Sequence, residues 1–282
     1  MQNHPQRRTA APGAGRHPQP SFKVRALLAC LPAMMASAAC AAESDQIATD
    51  RPDFVESSNV VGKNRFQIET SLAGERNKAN GVKERSYAMP TLLRYGVSDT
   101  LELRLETDGR IVQKSSVAAG SVTERGYGDV SLGVKWHAAD AEGALPSIGW
   151  LLHADLDTGS RQFRGDGVRP SLRAVAEWEL PNKLSLGVMP GVVYDRNAAG
   201  ERFVGGVLGV VLGKAWNERL RSFVELSLPQ IARANNGGSV ATLDVGAAYL
   251  LSDNLQIDAA LARGLNKRTP DLAWTVGLSA RF

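Results

Sequence analysis

From Asp271 to the last residue the chain alternates without interruption. Leu272, Trp274, Val276, Leu278, Ala280 and Phe282 occupy one phase, and Asp271, Ala273, Thr275, Gly277, Ser279 and Arg281 the other. A period of two places the sets on opposite faces of a β-strand. The pattern recurs upstream: Leu101, Leu103 and Leu105 against Glu102, Arg104 and Glu106; Val130, Leu132, Val134 and Trp136 against Asp129, Ser131, Gly133 and Lys135. It is found again in Leu172, Ala174, Ala176 and Trp178 against Arg173, Glu177 and Glu179, and in Leu255, Ile257, Ala259 and Leu261 against Gln256 and Asp258. Carried along the chain, this predicts twelve strands over 63–76, 84–96, 100–112, 124–138, 147–157, 170–180, 183–195, 202–216, 219–229, 239–251, 254–265 and 271–282.

The predicted connections differ in length at the two ends. Short turns follow the even strands, at 96–100, 181–182, 217–218 and 252–253, with 139–146 the longest. Longer polar stretches follow the odd strands, at 77–83, 113–123, 158–169, 196–201, 230–238 and 266–270. An even strand number with this asymmetry predicts an all-β fold: a transmembrane, antiparallel up-and-down β-barrel of about twelve strands, with both termini on the periplasmic, short-turn side.

A soluble sandwich would also alternate, so the aromatics decide. Tyr95, Trp136, Trp150, Trp178, Trp216, Tyr249 and Phe282 all fall at strand ends beside the short turns, in the apolar phase. Tyr87, Tyr194 and Trp274 lie near the opposite ends in that phase. Two outward aromatic rings around an aliphatic band match the two headgroup levels of a bilayer. Tyr127 is the exception, since its parity points inward.

Charge changes the picture at one end. The chain has 33 Lys and Arg against 29 Asp and Glu. Arg7, Arg8, Arg16, Lys23 and Arg25 fall in the first 42 residues, which hold no acid; without them 28 basic face 29 acidic residues. A basic start, an apolar run over 26–35 and small residues over 36–42 read as an exported leader, a signal peptide over 1–42. Both cysteines, Cys30 and Cys40, lie in it; Ser37 stands where a lipobox wants Leu. The mature chain is then near neutral, so nucleic acid is not an expected partner.

After the leader come Thr49-Asp50-Arg51-Pro52-Asp53-Phe54 and then Arg65-Phe66-Gln67-Ile68-Glu69. This pair of motifs resembles the opening of the outer-membrane transporter family labelled "MetA-pathway of phenol degradation", in which a T-D-R-P-D-F segment precedes a first strand of the form R-x-Q-x-E. The motifs span about a tenth of the chain. The resemblance implies a barrel that passes small, in some cases aromatic, compounds. Residues 43–62 are then a periplasmic N-terminal segment ahead of a barrel over 63–282. Pro52 bars 50–54 from a central ladder position. Asp50, Arg51 and Asp53 are expected to pair lumenal charges as a plug, the alternative being a flexible lead-in.

The inward phase supplies the candidate solute path: Arg65, Glu69, Arg94, Glu102, Arg104, Glu106, Asp129, Lys135, His153, Asp155, Arg173, Glu177, Glu225, Asp244, Asp258 and Arg281. Charge at these positions cannot face lipid, where a midplane Arg or Lys costs about 2–4 kcal/mol. Cross-strand pairs such as Arg94 with Glu102 or Glu106 could equally knit a filled interior.

Three functions follow. The first is a passive channel or transporter for a small solute. The second is a filled barrel serving structure or adhesion. The third, an outer-membrane phospholipase-like enzyme, is disfavoured because His137 and His153, the histidines outside the leader, sit in no nucleophile motif. No catalytic residue, metal or cofactor is expected. The expected partners are outer-membrane lipid, lipopolysaccharide through basic loops, the barrel-assembly machinery through the strand ending in Phe282, and a small-molecule solute.

Overall fold

The computed structural model describes residues 46–79 and 81–282; the expected leader lies outside them. Fifteen strand segments form one antiparallel sheet: β1 (Phe66–Ala79), β2 (Val82–Ala88), β3 (Thr91–Gly96), β4 (Leu101–Thr107), β5 (Arg110–Val117), β6 (Gly120–Tyr127), β7 (Val130–Ala139), β8 (Ser147–Asp155), β9 (Arg169–Leu180), β10 (Leu184–Arg196), β11 (Arg202–Ala215), β12 (Leu220–Ile231), β13 (Val240–Ser252), β14 (Leu255–Gly264) and β15 (Leu272–Arg281). The pairs β2–β3, β4–β5 and β6–β7 are each two pieces of one strand, so the sheet has twelve staves. It closes where β1 pairs with β15, from Gln67 opposite Arg281 to Arg76 opposite Leu272. Phe66 and Phe282 complete the seam with reciprocal backbone bonds of 3.1 and 2.7 Å and stacked rings 6.5 Å apart.

Closure follows from the surroundings. Hydrocarbon offers no partner to an N–H or C=O, so an open edge would leave each unpaired group at a cost of several kcal/mol. The side chains are sorted accordingly. Leu72 is 56 % exposed, and Leu103, Leu132, Leu152, Val204, Leu261 and Val276 are also exposed; Arg94, Glu102 and Lys135 are fully buried. This reverses a water-soluble core, and identifies the outer face as the lipid-facing one. Tyr95, Trp136, Trp150, Trp216, Tyr249 and Phe282 are exposed and Trp178 half-buried, in that same phase.

Two expected loops are shorter than the polarity pattern suggests. Residues 113–117 and 120–123 continue as β5 and β6, joined through Ala118-Ala119, and β1 and β2 run on to Ala79 and from Val82. These ends project beyond the hydrocarbon, where hydrogen bonding continues but no apolar phase is required.

Three breaks lie side by side across neighbouring staves, at Met89-Pro90, Asp108-Gly109 and Gly128-Asp129. Ser71 N donates to Pro90 O at 3.0 Å, Met89 N to Asp108 O at 3.0 Å, and Gly128 N to Gly109 O at 2.9 Å. Gly109 has φ +60°, and a Cβ there would lie 2.5 Å from Met89 O, so only glycine fits. The last break also corrects the phase of Tyr127. A Cβ on Gly126 would meet Ser160 and Phe163, the latter lining the lumen, so Tyr127 points outward. An extra residue at 128–129 restores the phase before Ser131.

All five tryptophans, Trp136, Trp150, Trp178, Trp216 and Trp274, take the outward phase. In vesicles with brominated acyl chains, most of the protein's tryptophan emission should be quenched, while a small aqueous quencher removes little. Emission indifferent to bromination would contradict this orientation.

Candidate functional site

The chain enters the barrel before it forms its first strand. Ile47 N bonds Asp253 O at 2.7 Å at the short-turn end, and Asn64 N bonds Gly96 O at 2.8 Å at the same end. Between these anchors residues 48–62 make a loop inside the bore. Its backbone has no strand to pair with, so its polar groups are satisfied by wall side chains, as buried backbone groups must be. Glu225 accepts from Phe54 N and Val55 N, both at 2.7 Å. Glu177 accepts from Ser58 N at 2.6 Å, and Glu102 from Val61 N at 2.9 Å.

Asp50 is the centre of this arrangement. Its carboxylate meets Arg104 Nη1 at 2.6 Å, Lys135 Nζ at 2.7 Å and Arg94 Nη1 at 3.3 Å, and its own N–H donates to Glu69 at 3.0 Å. Arg94 has an acceptor for all five of its N–H donors: Glu102 twice, Glu69, and the carbonyls of Ala48 and Asn59. Arg104 also bonds Glu102 at 2.9 Å and Glu106 at 2.9 Å, and forms an ion pair with Glu56 at 2.7 Å. Removing one member of such a buried group leaves a charge uncompensated, at about 3–5 kcal/mol.

Arg51 reaches the other side of the seam, to Asp258 at 3.2 Å and Thr275 Oγ1 at 2.7 Å. Gly277 leaves it room, since a Cβ there would lie 2.7 Å from Arg51 Nε. Asp53 lies 3.6 Å from Arg221. Phe54 and Val55 face a different wall. Val55 packs with Leu151, Val175, Met189, Val211 and Phe223, and Phe54 rests against that cluster. Gly187 and Gly209 open the space, since a Cβ on Gly209 would come within 2.5 Å of Val55. The bore is therefore ionic along β1–β7, while an apolar strip crosses β8–β12 from Leu151 to Phe223 between the charged Arg173, Glu177, Arg221 and Glu225, and the loop carries a matching side for each.

A cavity lies on either side of this loop. The one toward the long connections, about 430 Å³, is lined by Asp50, Arg51, Asp53, Phe54, Glu56, Arg104, Glu106, Asp108, Asp129, Asp155, Arg169, Arg173 and Phe163 among others. The one toward the short turns, about 370 Å³, is lined by Asp53, Val55, Glu177, Lys183, Gly187, Val211, Gly213, Arg221 and Phe223 among others. Asp53 borders both. At the long-connection mouth Asp129 accepts from Gly159 N, Gly165 N and Arg169 Nη2, each at 2.8 Å, holding the 156–168 connection folded inward.

The sequence-predicted residues divide accordingly. Glu69, Arg94, Glu102, Arg104, Lys135, Arg173, Glu177, Glu225 and Asp258 contact the N-terminal loop directly. Glu106 and His153 lie 3.5 Å apart in the adjoining wall. Asp129 and Asp155 sit at the long-connection mouth near Arg169. Asp244 bonds Ser227 and Thr242 instead of the loop. Arg65 and Arg281 stand at the short-turn rim, Arg281 bonding Asn254 at 2.9 Å, and so do not line the central bore. Sequence reasoning passed over Gln67, Arg221 and Gln256, which parity turns inward and which bond the loop's carbonyls or hydroxyls, and Glu56 within the loop itself. It also missed the apolar wall, because Gly187, Met189 and Val211 do not contrast with their lipid-facing neighbours.

The family model described as "Putative MetA-pathway of phenol degradation" matches residues 49–282. Among solved structures, the COG4313 outer membrane channel from Pseudomonas putida F1 is similar with a TM-score of 0.58 at 14% identity, covering 82% of this chain and 99% of that one. At such identity the likeness is one of fold. KdgM porin (TM-score 0.48, 12% identity, 77% and 99% covered) and the CymD monoaromatic hydrocarbon channel (0.43, 10%, 78% and 89%) are more distant and carry no argument. A search of curated protein sequences gave no match.

Burial alone would raise the Asp50 carboxyl, but Arg94, Lys135 and Arg104 outweigh it and hold the group well below the usual carboxylate range. A depressed folded value means a contribution to stability that is complete above the ordinary carboxyl pKa and fades as pH falls toward the folded one. The gap in unfolding midpoint between the protein and Asp50→Asn should be constant from pH 8 to about pH 5 and narrow below about pH 4. A gap that widened in acid would contradict an ionised Asp50.

Proposed function

The chain belongs to the family that this model describes, and from that premise we propose that it is an outer-membrane channel for a small solute, closed at rest by its own N-terminal segment. The observation that carries this reading is the loop over 48–62, which lies across the bore between two cavities and is held by side chains from β1 round to β15. Each cavity falls within the about 300–1,000 Å³ typical of small-molecule sites. The solute passes by diffusion when the segment shifts. A small molecule with an aromatic or aliphatic body fits best, because a route past Asp53 skirts Val55, Val211 and Phe223 on one side and ionic groups on the other.

In this reading residues 1–42 are an export leader, the short turns face the periplasm, and the long connections and the projecting β1–β2 and β5–β6 hairpins face the outside of a Gram-negative cell. The seam-forming Phe282 is the segment read by the barrel-assembly machinery. No catalytic step is assigned. His137 contacts the Ser58 carbonyl and Asp140, and His153 faces Glu106, as parts of the lining. One observation favours the second reading, a permanently filled structural barrel: the donors of Arg94 are all satisfied, which is what a fixed interior would show.

Bilayer conductance of the unaltered protein separates the two, since a channel should open intermittently and a permanently filled barrel should not conduct. Deleting residues 47–56 should raise single-channel conductance several-fold in a barrel that still shows heat-modifiable mobility. Unchanged conductance in that folded variant would reject the plug.

A further inference from the structure

Above the outer aromatic level the sheet sorts its charges by face. Gly74 lies under Trp274 and opposite Tyr87, which fixes the outward phase of β1 and β2 at this height. The next outward residues are Arg76 and Lys78 on β1 and Arg85 and Lys83 on β2. Register carries the same face across β5 and β6: Lys114 is opposite Arg85, and Arg125 is opposite Val112, itself the partner of Tyr87. These six cations are exposed. No carboxylate shares their face on the four strands, because Glu75, Glu84 and Glu124 all occupy the other phase. None of the six makes an ion pair among the described residues.

The sorting runs against the sheet's own stability. Arg76 stands directly opposite Arg85, Lys78 opposite Lys83, and Arg85 opposite Lys114. Like charges at directly opposed positions repel across about 4.5–5.5 Å. An anion at the headgroup level, outside the barrel, would relieve that repulsion. Strand spacing of about 4.8 Å and same-face spacing of about 7 Å let neighbouring guanidinium and ammonium groups share one phosphate.

We propose that the outward face of β1, β2, β5 and β6 is a binding surface for the phosphate groups of the outer-leaflet glycolipid, lipopolysaccharide. The inference takes its orientation from the proposed outer-membrane placement but is independent of any conduction. Arg76 and Arg85 present planar forks suited to phosphate oxygens; Lys78, Lys83, Lys114 and Arg125 surround them. The acyl chains of the same lipid lie against Tyr87, Trp274 and the aliphatic band below.

The test uses the full-length mature barrel in lipopolysaccharide-free micelles, titrated with lipopolysaccharide, with the same glycolipid after phosphatase treatment, and with inorganic phosphate. A triple variant, Arg76→Gln, Arg85→Gln and Lys114→Gln, is compared with a loop variant that loses as many cations, Arg161→Gln, Arg164→Gln and Arg233→Gln. The expected result is binding of intact lipopolysaccharide by the parent and the loop variant, and at least tenfold weaker binding by the triple variant. Dephosphorylated glycolipid should bind all three weakly, and millimolar phosphate should not displace the lipid. Equal binding by the triple variant, equal loss in the loop variant, indifference to dephosphorylation, or full displacement by free phosphate would each overturn the proposal. Folding is checked by the unfolding midpoint without lipid, which should not fall in the triple variant because opposed like charges have been removed. If that variant does not fold, the single Arg85→Gln variant, expected to bind several-fold more weakly, carries the same comparison.

Discussion

Charge enclosed by hydrocarbon has to be matched from within. The wall of this barrel turns Arg94, Arg104 and Lys135 inward because lipid would not take them, and once inward they are buried beneath the N-terminal loop. Wall carboxylates answer part of that charge. Those carboxylates pair with Arg94 and Arg104, whereas the ion pairs of Lys135 are with Asp50 and Glu56, which belong to a segment that never enters the sheet. The position of the N-terminal loop therefore follows from the same constraint that closes the barrel.

That loop has no regular structure of its own because the wall replaces the hydrogen bonds a helix or strand would have supplied. Its two sides differ in chemistry. Asp50, Arg51 and Glu56 address ionic groups, while Phe54 and Val55 address Met189, Val211 and Phe223 across the room left by Gly187 and Gly209. Ionic matching gives such a segment one register, and apolar contact adds attraction without directional demand. A segment held by side chains alone, with cavities before and behind it, can leave its place without unpicking a strand.

Much of the architecture was legible in the sequence, and the physics explains where legibility stopped. A bilayer enforces strict contrast between faces, so Leu101–Glu106 or Leu272–Phe282 declare both a strand and its orientation. Beyond the hydrocarbon the contrast lapses, and 113–123 reads as loop although the ladder continues through it. Parity fails where an extra residue is inserted, as at Gly128-Asp129 for Tyr127. In the bore, single residues were readable and partnerships were not. Parity turns Arg94 and Glu102 to one face, where they are buried and bonded. Nothing local reveals that Asp50 joins Arg104 and Lys135, contacts made over 54 and 85 residues. The apolar wall was hidden for the opposite reason, since inward Gly, Val and Met on β10 and β11 look like their outward neighbours.

The matching of wall charge by the N-terminal loop is tested most directly by a double-mutant cycle on Asp50 and Lys135, read as free energy of unfolding in detergent. Asp50→Asn and Lys135→Met should each destabilise the barrel, and the double variant should lose less than the two together, by a coupling of at least about 1.5 kcal/mol. Strictly additive losses would mean that the loop's carboxylate does not compensate the lumenal cation, and the account would fail at its root.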